Sequence, residues 1–471
     1  MAMNPNLLYY CERMAGYSTN IFQLVTLNKD TATSSDIVTF DIPSNSICRL
    51  SSFKVLFNAS ANNGTPNLCA RLPEDIRTVF ERIEITMGGI VLSQGTNFAN
   101  VITEAKQALM GTNTNSLLSH PRIIRNKSYV DGTTIAATAN EPAPAVENGD
   151  SAYCCDIFEG FLATCAPDCL DFSLFPDCRV RLYMASNNIL TVSTSTVLGT
   201  AVGSFAQTAL VPAAVTGAAY LLTNLHAQIE CMGFADSTLD NMISAVMSKQ
   251  GFLECPYKAL SQFSDTHQGS TRFSVSSASI DRIWTMWRLN TYNTQTYPIT
   301  VSGYKTEGGF INSAATFLPA TAFDAGVPQY DIGGTLLTNE ERYKSNYFNF
   351  VSPEQPGTAL KLQLQLNGAY YPQYSATIGD LVAISQNSVE APSSKVMTLD
   401  QYKKNFFVQC FRLNFPGSEK LRQLTGIDTR AVNLQALLRS EGITNSPNVN
   451  IFVESTAVLR VGSGRAIEII S

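Results

Sequence analysis

One stretch of this chain occurs twice, and that repeat limits what the chain can fold into. Phe40-Asp41-Ile42-Pro43-Ser44-Asn45-Ser46-Ile47-Cys48-Arg49-Leu50, continuing to Leu56, aligns without a gap on Phe273-Ser274-Val275-Ser276-Ser277-Ala278-Ser279-Ile280-Asp281-Arg282-Ile283, continuing to Leu289. The offset is 273 − 40 = 233, and Phe40 meets Phe273, Ile47 meets Ile280, Arg49 meets Arg282 and Leu56 meets Leu289. A second pair follows. Ile83-Glu84-Ile85-Thr86-Met87-Gly88-Gly89 and Leu362-Gln363-Leu364-Gln365-Leu366-Asn367-Gly368 alternate apolar with polar residues and end in dipeptides suited to a two-residue hairpin turn. Here the offset is 362 − 83 = 279, so the second half carries extra residues before its hairpin. Two halves with one order of parts and different insertions follow from this.

A chain of 471 residues is long for one core, and two domains of a little over 200 residues each are the natural division. Charged residues make up only 15% against 45% apolar ones, which describes a globular protein with a Ser/Thr/Asn-rich surface. A net charge of −6 argues against a protein that grips nucleic acid through a basic stripe. No run of about 20 apolar residues is present to span a membrane. The start, Met-Ala-Met-Asn-Pro-Asn, lacks a basic n-region and a signal-peptide core, so an intracellular product is expected. The 11 cysteines are odd in number and mostly scattered, which fits free thiols in a reducing compartment. The sequons at Asn58, Asn63 and Asn126 are expected to be unused without a secretion route.

Residues 1–26 read as an N-terminal arm, with Leu7, Leu8, Cys11 and Met14 at helical spacing. Residues 27–236 read as the first domain. Two strands are broken around Pro43-Ser44-Asn45, a loop covers 58–73, and a hairpin covers 81–94. A helix follows, with Asn97 as cap, Phe98, Val101, Ile102, Ala105 and Leu109 on one face, and Gly111 at its end. Residues 111–152 form a long connection, strand signals resume over 156–163, and Val180, Leu182 and Met184 share one face of a strand. After a Thr/Ser/Ala-rich excursion over 186–220, Leu225, Ala227, Ile229 and Cys231 alternate in the last strand of this half. A linker helix at 237–250 has Ser237 as cap and Leu239, Ile243, Val246 and Met247 inward. The second domain, 251–471, repeats the order: strands over 271–290, an insertion over 291–358, a hairpin over 361–374, a short helix over 378–384 and strands to the end. Residues 430–440 suit a strand or a helix. The fold class is all-β, as two antiparallel sandwiches with short helices and long surface loops.

Nothing in the chain assembles a catalytic pattern. His120, His226 and His267 are the only histidines, with no two at metal-ligand spacing. Neither a phosphate-binding Gly-x-x-x-x-Gly-Lys loop nor a Gly-x-Ser-x-Gly elbow occurs. The chain is therefore read as a non-enzyme with no cofactor. Cys154, Cys155, Cys165, Cys169 and Cys178 fall within 25 residues, enough thiolates for zinc, but without the Cys-x-x-Cys pairs of ribbons and fingers. Plain thiols or a disulfide are the competing readings. Trp284 and Trp287, beside Arg282 and Arg288, could make a sugar or nucleic-acid platform, yet three apart in a strand they face opposite sides, which favours burial. Arg122, Arg125 and Lys127 read as a solvated loop.

With its repeated strand order, acidic balance and absent catalytic constellation, the chain resembles the double jelly-roll major capsid proteins of tailless icosahedral DNA viruses. That class covers membrane-containing phages, adenovirus hexon, virophages and polinton-like viruses. The resemblance is architectural and spans residues 27–471. Phe40–Leu56 and Phe273–Leu289 match the opening strands of two eight-stranded rolls, and the units at 81–110 and 361–385 match the middle of each. The insertions at 111–152, 186–220 and 291–358 match the loops that build towers on the outer face. The resemblance implies a structural virion protein that forms homotrimers of pseudo-hexagonal outline. Its implied partners are itself, neighbouring capsomers, minor capsid and penton proteins and an internal membrane, with no sequence-specific nucleic acid.

Two other classes compete. A tandem single-jelly-roll RNA-virus coat protein would carry a basic arm, and residues 1–28 hold one basic residue, Arg13. A viral spike or glycan-binding β-sandwich would use exposed aromatics, for which Trp284 and Trp287 are the best material.

Overall fold

The computed structural model describes residues 17–62, 68–73, 75–92, 98–110, 151–156, 158–196, 219–234, 238–288, 299–302, 329–330, 346–355, 357–389, 399, 402–403, 406–415, 424–430, 435–443 and 447–470. The first half contributes β1 (Tyr17–Val25), β2 (Ile37–Asp41), β3 (Ile47–Asn62), β4 (Leu68–Arg71), β5 (Phe80–Met87) and β6 (Ile90–Val91). Helix α1 (Ala99–Met110), β7 (Ser151–Cys155), the single turn α2 (Phe161–Thr164), β8 (Cys169–Asp171), β9 (Cys178–Met184), β10 (Thr191–Thr196) and β11 (Ala219–Phe234) complete it. Helix α3 (Thr238–Gln250) leads into the second half. There follow β12 (Phe252–Thr266), β13 (Ser270–Ser274), β14 (Ile280–Arg288), β15 (Ile299–Ser302), β16 (Gln329–Tyr330), β17 (Lys361–Leu366) and β18 (Ala369–Thr377). Helix α4 (Ile378–Ser388), β19 (Val408–Arg412), β20 (Gln435–Glu441), β21 (Asn448–Gly462) and β22 (Ile467–Ile470) end the chain.

The sheets arrange both halves alike. In the first half one sheet runs β1-β11-β3-β7, with β8 beside β3, and the facing sheet runs β2-β9-β5-β6. In the second they run β12-β21-β14-β19, with β22 beside β21, and β13-β20-β17-β18. Setting aside β4, β8 and β10 in one half and β15, β16 and β22 in the other leaves eight strands per half. Numbered within its half, each set pairs as first-eighth-third-sixth against second-seventh-fourth-fifth, the winding of a jelly roll. The residues dictate this locally: in β9 Cys178, Val180, Leu182 and Met184 are buried and the residues between are not. A further sheet, β16-β15-β10-β4, joins strands of both halves, with β10 and β15 parallel. Parts of two excursions read from the sequence, 186–220 and 291–358, thus pair with each other; residues 111–150 lie outside the described residues.

Both sequence offsets reappear as structure. Adding 233 to Ile37 and Ile47, the first residues of β2 and β3, gives Ser270 and Ile280, the first residues of β13 and β14. Adding 279 to Ile90 and Ala99, which open β6 and α1, gives Ala369 and Ile378, which open β18 and α4. The two hairpins turn alike, with positive φ at Gly88 (55°) and Gly89 (85°) and at Asn367 (47°) and Gly368 (82°). Two successive left-handed residues suit the twist of the flanking strands, and Gly or Asn holds them at least cost.

Several sequence expectations need correction. Residues 17–25, placed in the arm, form β1, paired along its length with β11. Residues 58–62 extend β3 rather than opening a loop, because they pair with Ala219–Thr223 and 58–59 also with β7. The strand expected over 156–163 lies at 151–155, and 161–164 is a helical turn. Residues 435–440 of the ambiguous stretch belong to a strand, β20. Helix α3 does not turn its stripe into a core: Val246 and Met242 are exposed, and Ile243 and Met247 are only half-buried. Residues 1–16, with Leu7, Leu8, Cys11 and Met14, lie outside the described residues.

Candidate assembly interface

Helix α1 marks where the two rolls meet. Val101, Ile102 and Ala105 are buried, as their spacing predicts, but so are Asn100, Thr103 and Glu104 on its polar side. A helix buried all round must have protein on both faces. It packs on β5 and the turn at 76–79 of the first roll, and on β19, α4 and the turn at 346–348 of the second. Around it the first roll covers the outer face of β12-β21-β14, so that all nine residues of β14 are buried.

Polar contacts hold this seam. The Tyr257 hydroxyl on β12 donates to the Leu92 carbonyl at 2.8 Å, and its ring meets Phe161 edge-on with centroids 5.3 Å apart. Ala166 N–H donates to the Pro256 carbonyl at 2.9 Å, and Lys258 N–H to Thr164 Oγ1 at 2.8 Å. Six charges then balance. Lys106 of α1 pairs with Glu159 at 2.7 Å, Lys258 with Asp281 at 2.7 Å, and Arg282 with Glu454 at 3.8 Å. The Lys106 ammonium also lies 5.8 Å from the centre of the Trp284 ring, whose indole N–H donates to Glu454 at 3.3 Å. Burial alone would lower the Lys106 pKa, but Glu159 and Glu454 outweigh it and hold the ammonium above its ordinary value. Burial alone would raise Glu454, but Lys106, Arg282 and Lys258 hold it below.

Among the described residues the same sheet face of the first roll is exposed. Register matches the two rolls position by position: Arg49 and Ile21 flank Glu230, as Arg282 and Leu260 flank Glu454. Arg49 pairs with Glu230 at 3.3 Å, so the repeated Arg carries a repeated ion pair. The exposures differ sharply. Leu260 is 6% exposed and Ile21 is 73% exposed; the Arg282 side chain is 11% exposed and that of Arg49 is 48%. Val25, on the same side of β1 as Ile21, is 72% exposed. Helix α4, the counterpart of α1, buries Ile378, Leu381, Ser385 and Ser388 but leaves Gly379, Ala383, Gln386 and Asn387 exposed. Among the described residues one sheet face and one helix are thus covered within the chain, while their counterparts in the other roll are exposed on that side.

Residues singled out for chemistry are dispersed. Cys154 and Cys155 lie on β7, Cys165 follows α2, Cys169 lies on β8 and Cys178 on β9. Among the described residues no group of three or more His, Cys, Asp or Glu side chains is placed to hold a metal ion, so the zinc set is not brought together. Burial raises the Cys155 and Cys169 thiols and pushes Cys178 up to about 12, away from the thiolate a metal needs. His226 is on β11, and its Nδ1 lies 2.9 Å from the Asn224 carbonyl. His267 is buried in the second roll between Thr271 and Ser440. Trp284 and Trp287 face opposite sides and both are fully buried, Trp284 at the seam and Trp287 against His267 and Gln409, so neither is a platform. His120, Arg122, Arg125 and Lys127 lie outside the described residues.

No protein-family model matches the sequence, and no curated protein sequence matches it. Solved structures do. The PBCV-1 VP54 protein, as fitted into a cryo-EM reconstruction of the virophage Sputnik, matches over 99% of this chain and 99% of its own, with a TM-score of 0.55 and 11% identity. A chain of the PBCV-1 virus capsid matches over the same shares, with a TM-score of 0.52 and 12% identity. The Faustovirus major capsid protein matches over 99% of this chain and 92% of its own, with a TM-score of 0.53 and 10% identity. At such identities the likeness speaks for the fold, and it agrees with the strand order found independently above. The chain has the double jelly-roll fold, shared along its length with these virus proteins.

Proposed function

We propose that this protein is a structural building block of an icosahedral virus shell, assembling as a homotrimer whose six rolls make a pseudo-hexagonal unit. The observation that carries the reading is the bare sheet face of the first roll, with Ile21 exposed where its counterpart Leu260 is covered. Within the chain that face of the second roll is covered by the first roll and α1. A second copy supplies the missing cover if its second roll and α4 dock on this chain's first-roll face. The contact is head-to-tail, and such a contact either closes into a ring or runs on as a filament. Three copies close a ring of six rolls. The expected interface is of the obligate kind, above about 2,000 Å². The double jelly-roll fold shared with virus capsid proteins supports the shell role, and the dispersed histidines and cysteines give no support to an enzyme.

We assign residues 17–236 to the first roll, 237–250 to the connection and 251–471 to the second roll. β11 has 16 residues and spans about 50 Å, so α3 at its end and the four-stranded sheet joining both halves lie at opposite ends of the molecule. Among the described residues no helix is long and apolar enough to cross a membrane. Neighbouring capsomers, minor capsid and penton proteins and an internal membrane are the further partners of this reading. We place the inward contacts at the α3 end, where Met242 and Val246 are exposed.

Ile21→Glu tests the interface. The side chain is free in the single chain, so the variant should keep the wild-type circular dichroism and melting temperature. It should lose the assembled species in sedimentation. A variant that assembles like wild type overturns the proposed face.

A further inference from the structure

Cys48 on β3 and Cys231 on β11 are register partners in adjacent antiparallel strands, and both are buried on the core side of the first roll. Their sulfurs are 3.3 Å apart. Directly opposed residues of an antiparallel pair have Cα atoms about 4.5–5.5 Å apart, within the range a disulfide bridges, and its bond is about 2.05 Å long. Side-chain rotation and a small closure therefore suffice. Among the described residues no group of three metal-ligating side chains includes the pair. The second roll has no such pair: Asp281 and Ser455 stand in the matching places.

We propose that Cys48 and Cys231 form a redox site that closes to a disulfide when the protein meets a low-molecular-weight disulfide oxidant such as oxidised glutathione. One cysteine, as thiolate, attacks the oxidant, releases one reduced glutathione and forms a mixed disulfide. The other then attacks the protein sulfur of that mixed disulfide, forms the Sγ–Sγ bond and releases the second glutathione. Two thiol protons and two electrons leave the protein, and one oxidant becomes two thiols. Burial raises both thiols and shields them from the oxidant, so the reaction runs through local opening of this strand end and quickens with rising pH. The bond would enclose the chain from the third strand of the first roll to the eighth and tie these strands at the end nearest α3. It does not depend on the assembly reading. If that reading holds, a shell made in a reducing cell gains this staple after it leaves.

The test is peptide mapping of the reduced full-length protein after incubation with oxidised glutathione at pH 8, without reductant. The expected result is a dominant Cys48–Cys231 peptide, an intact mass about 2 Da lower, loss of two of the 11 titratable thiols and a higher melting temperature. Cys231→Ser should remove the linked peptide and the oxidation-dependent melting shift, each read against the same variant kept reduced. Cys48 and Cys231 staying reduced while other thiols react, a stop at the mixed disulfide, or linkage through other cysteines overturns the proposal. The wild-type map decides this even if the variant does not fold.

Discussion

Arg49–Glu230 and Arg282–Glu454 are one cross-strand pair set in two surroundings, and the surroundings decide what each is worth. The first is half open to solvent, where an ion pair contributes under about 1 kcal/mol. The second lies at the seam with Lys106 beside it, and removing its carboxylate leaves the buried six-charge cluster one negative charge short. Glu454→Gln should therefore destabilise the chain by about 3–5 kcal/mol in denaturant unfolding, and Glu230→Gln by under about 1 kcal/mol. Equal costs would contradict a desolvated seam. His267 gives a pH signature. Burial pushes its pKa down from 6.5 to about 4, so below pH 6.5 the unfolded chain takes a proton that the folded chain refuses. The related stability is complete above pH 6.5 and falls as pH drops towards 4, by up to about 3 kcal/mol. His267→Gln should flatten the melting temperature across that window, and an unchanged slope would exclude His267 as its source.

At the scale of elements, much is legible in the residues alone. Gapless offsets fixed β2, β3 and the hairpins against their counterparts, because alternation with a fixed turn dipeptide leaves few registers that keep apolar residues inward. β1 escaped notice because Ile21, Phe22, Leu24 and Val25 put apolar residues on both faces, and one of those faces is bare in the single chain. β7 was misplaced because Ser151-Ala152-Tyr153-Cys154-Cys155 carries no alternation. The stripe on α3 was read correctly as apolar and wrongly as inward, since periodicity shows which residues share a face and not what covers them. The seam could not be read at all: Lys106, Glu159, Lys258, Asp281, Arg282 and Glu454 are scattered along the chain and converge only when the rolls dock. The helices separate these cases. Ile102→Ala in α1 should cost about 2–5 kcal/mol by leaving a cavity. Met242→Ser in α3 should stay within about 0.5 kcal/mol. A costly Met242→Ser would mean that this chain itself covers the α3 face.

Across the whole molecule, duplication explains why the two halves are alike in topology and unlike in exposure. Each roll offers a sheet face and a helix that fit the next roll. A single chain satisfies one such contact and leaves a further copy of each surface exposed, so the proposed assembly would follow from the internal repeat. The most direct test is the native mass of the purified wild-type protein by light scattering. The chain weighs 51.2 kDa, and a homotrimer gives 3 × 51.2 = 153.6 kDa. A stable species at that mass is the expected result. A monomer at 51.2 kDa across micromolar concentrations would contradict the account, because the bare face would then have no copy of this chain to cover it.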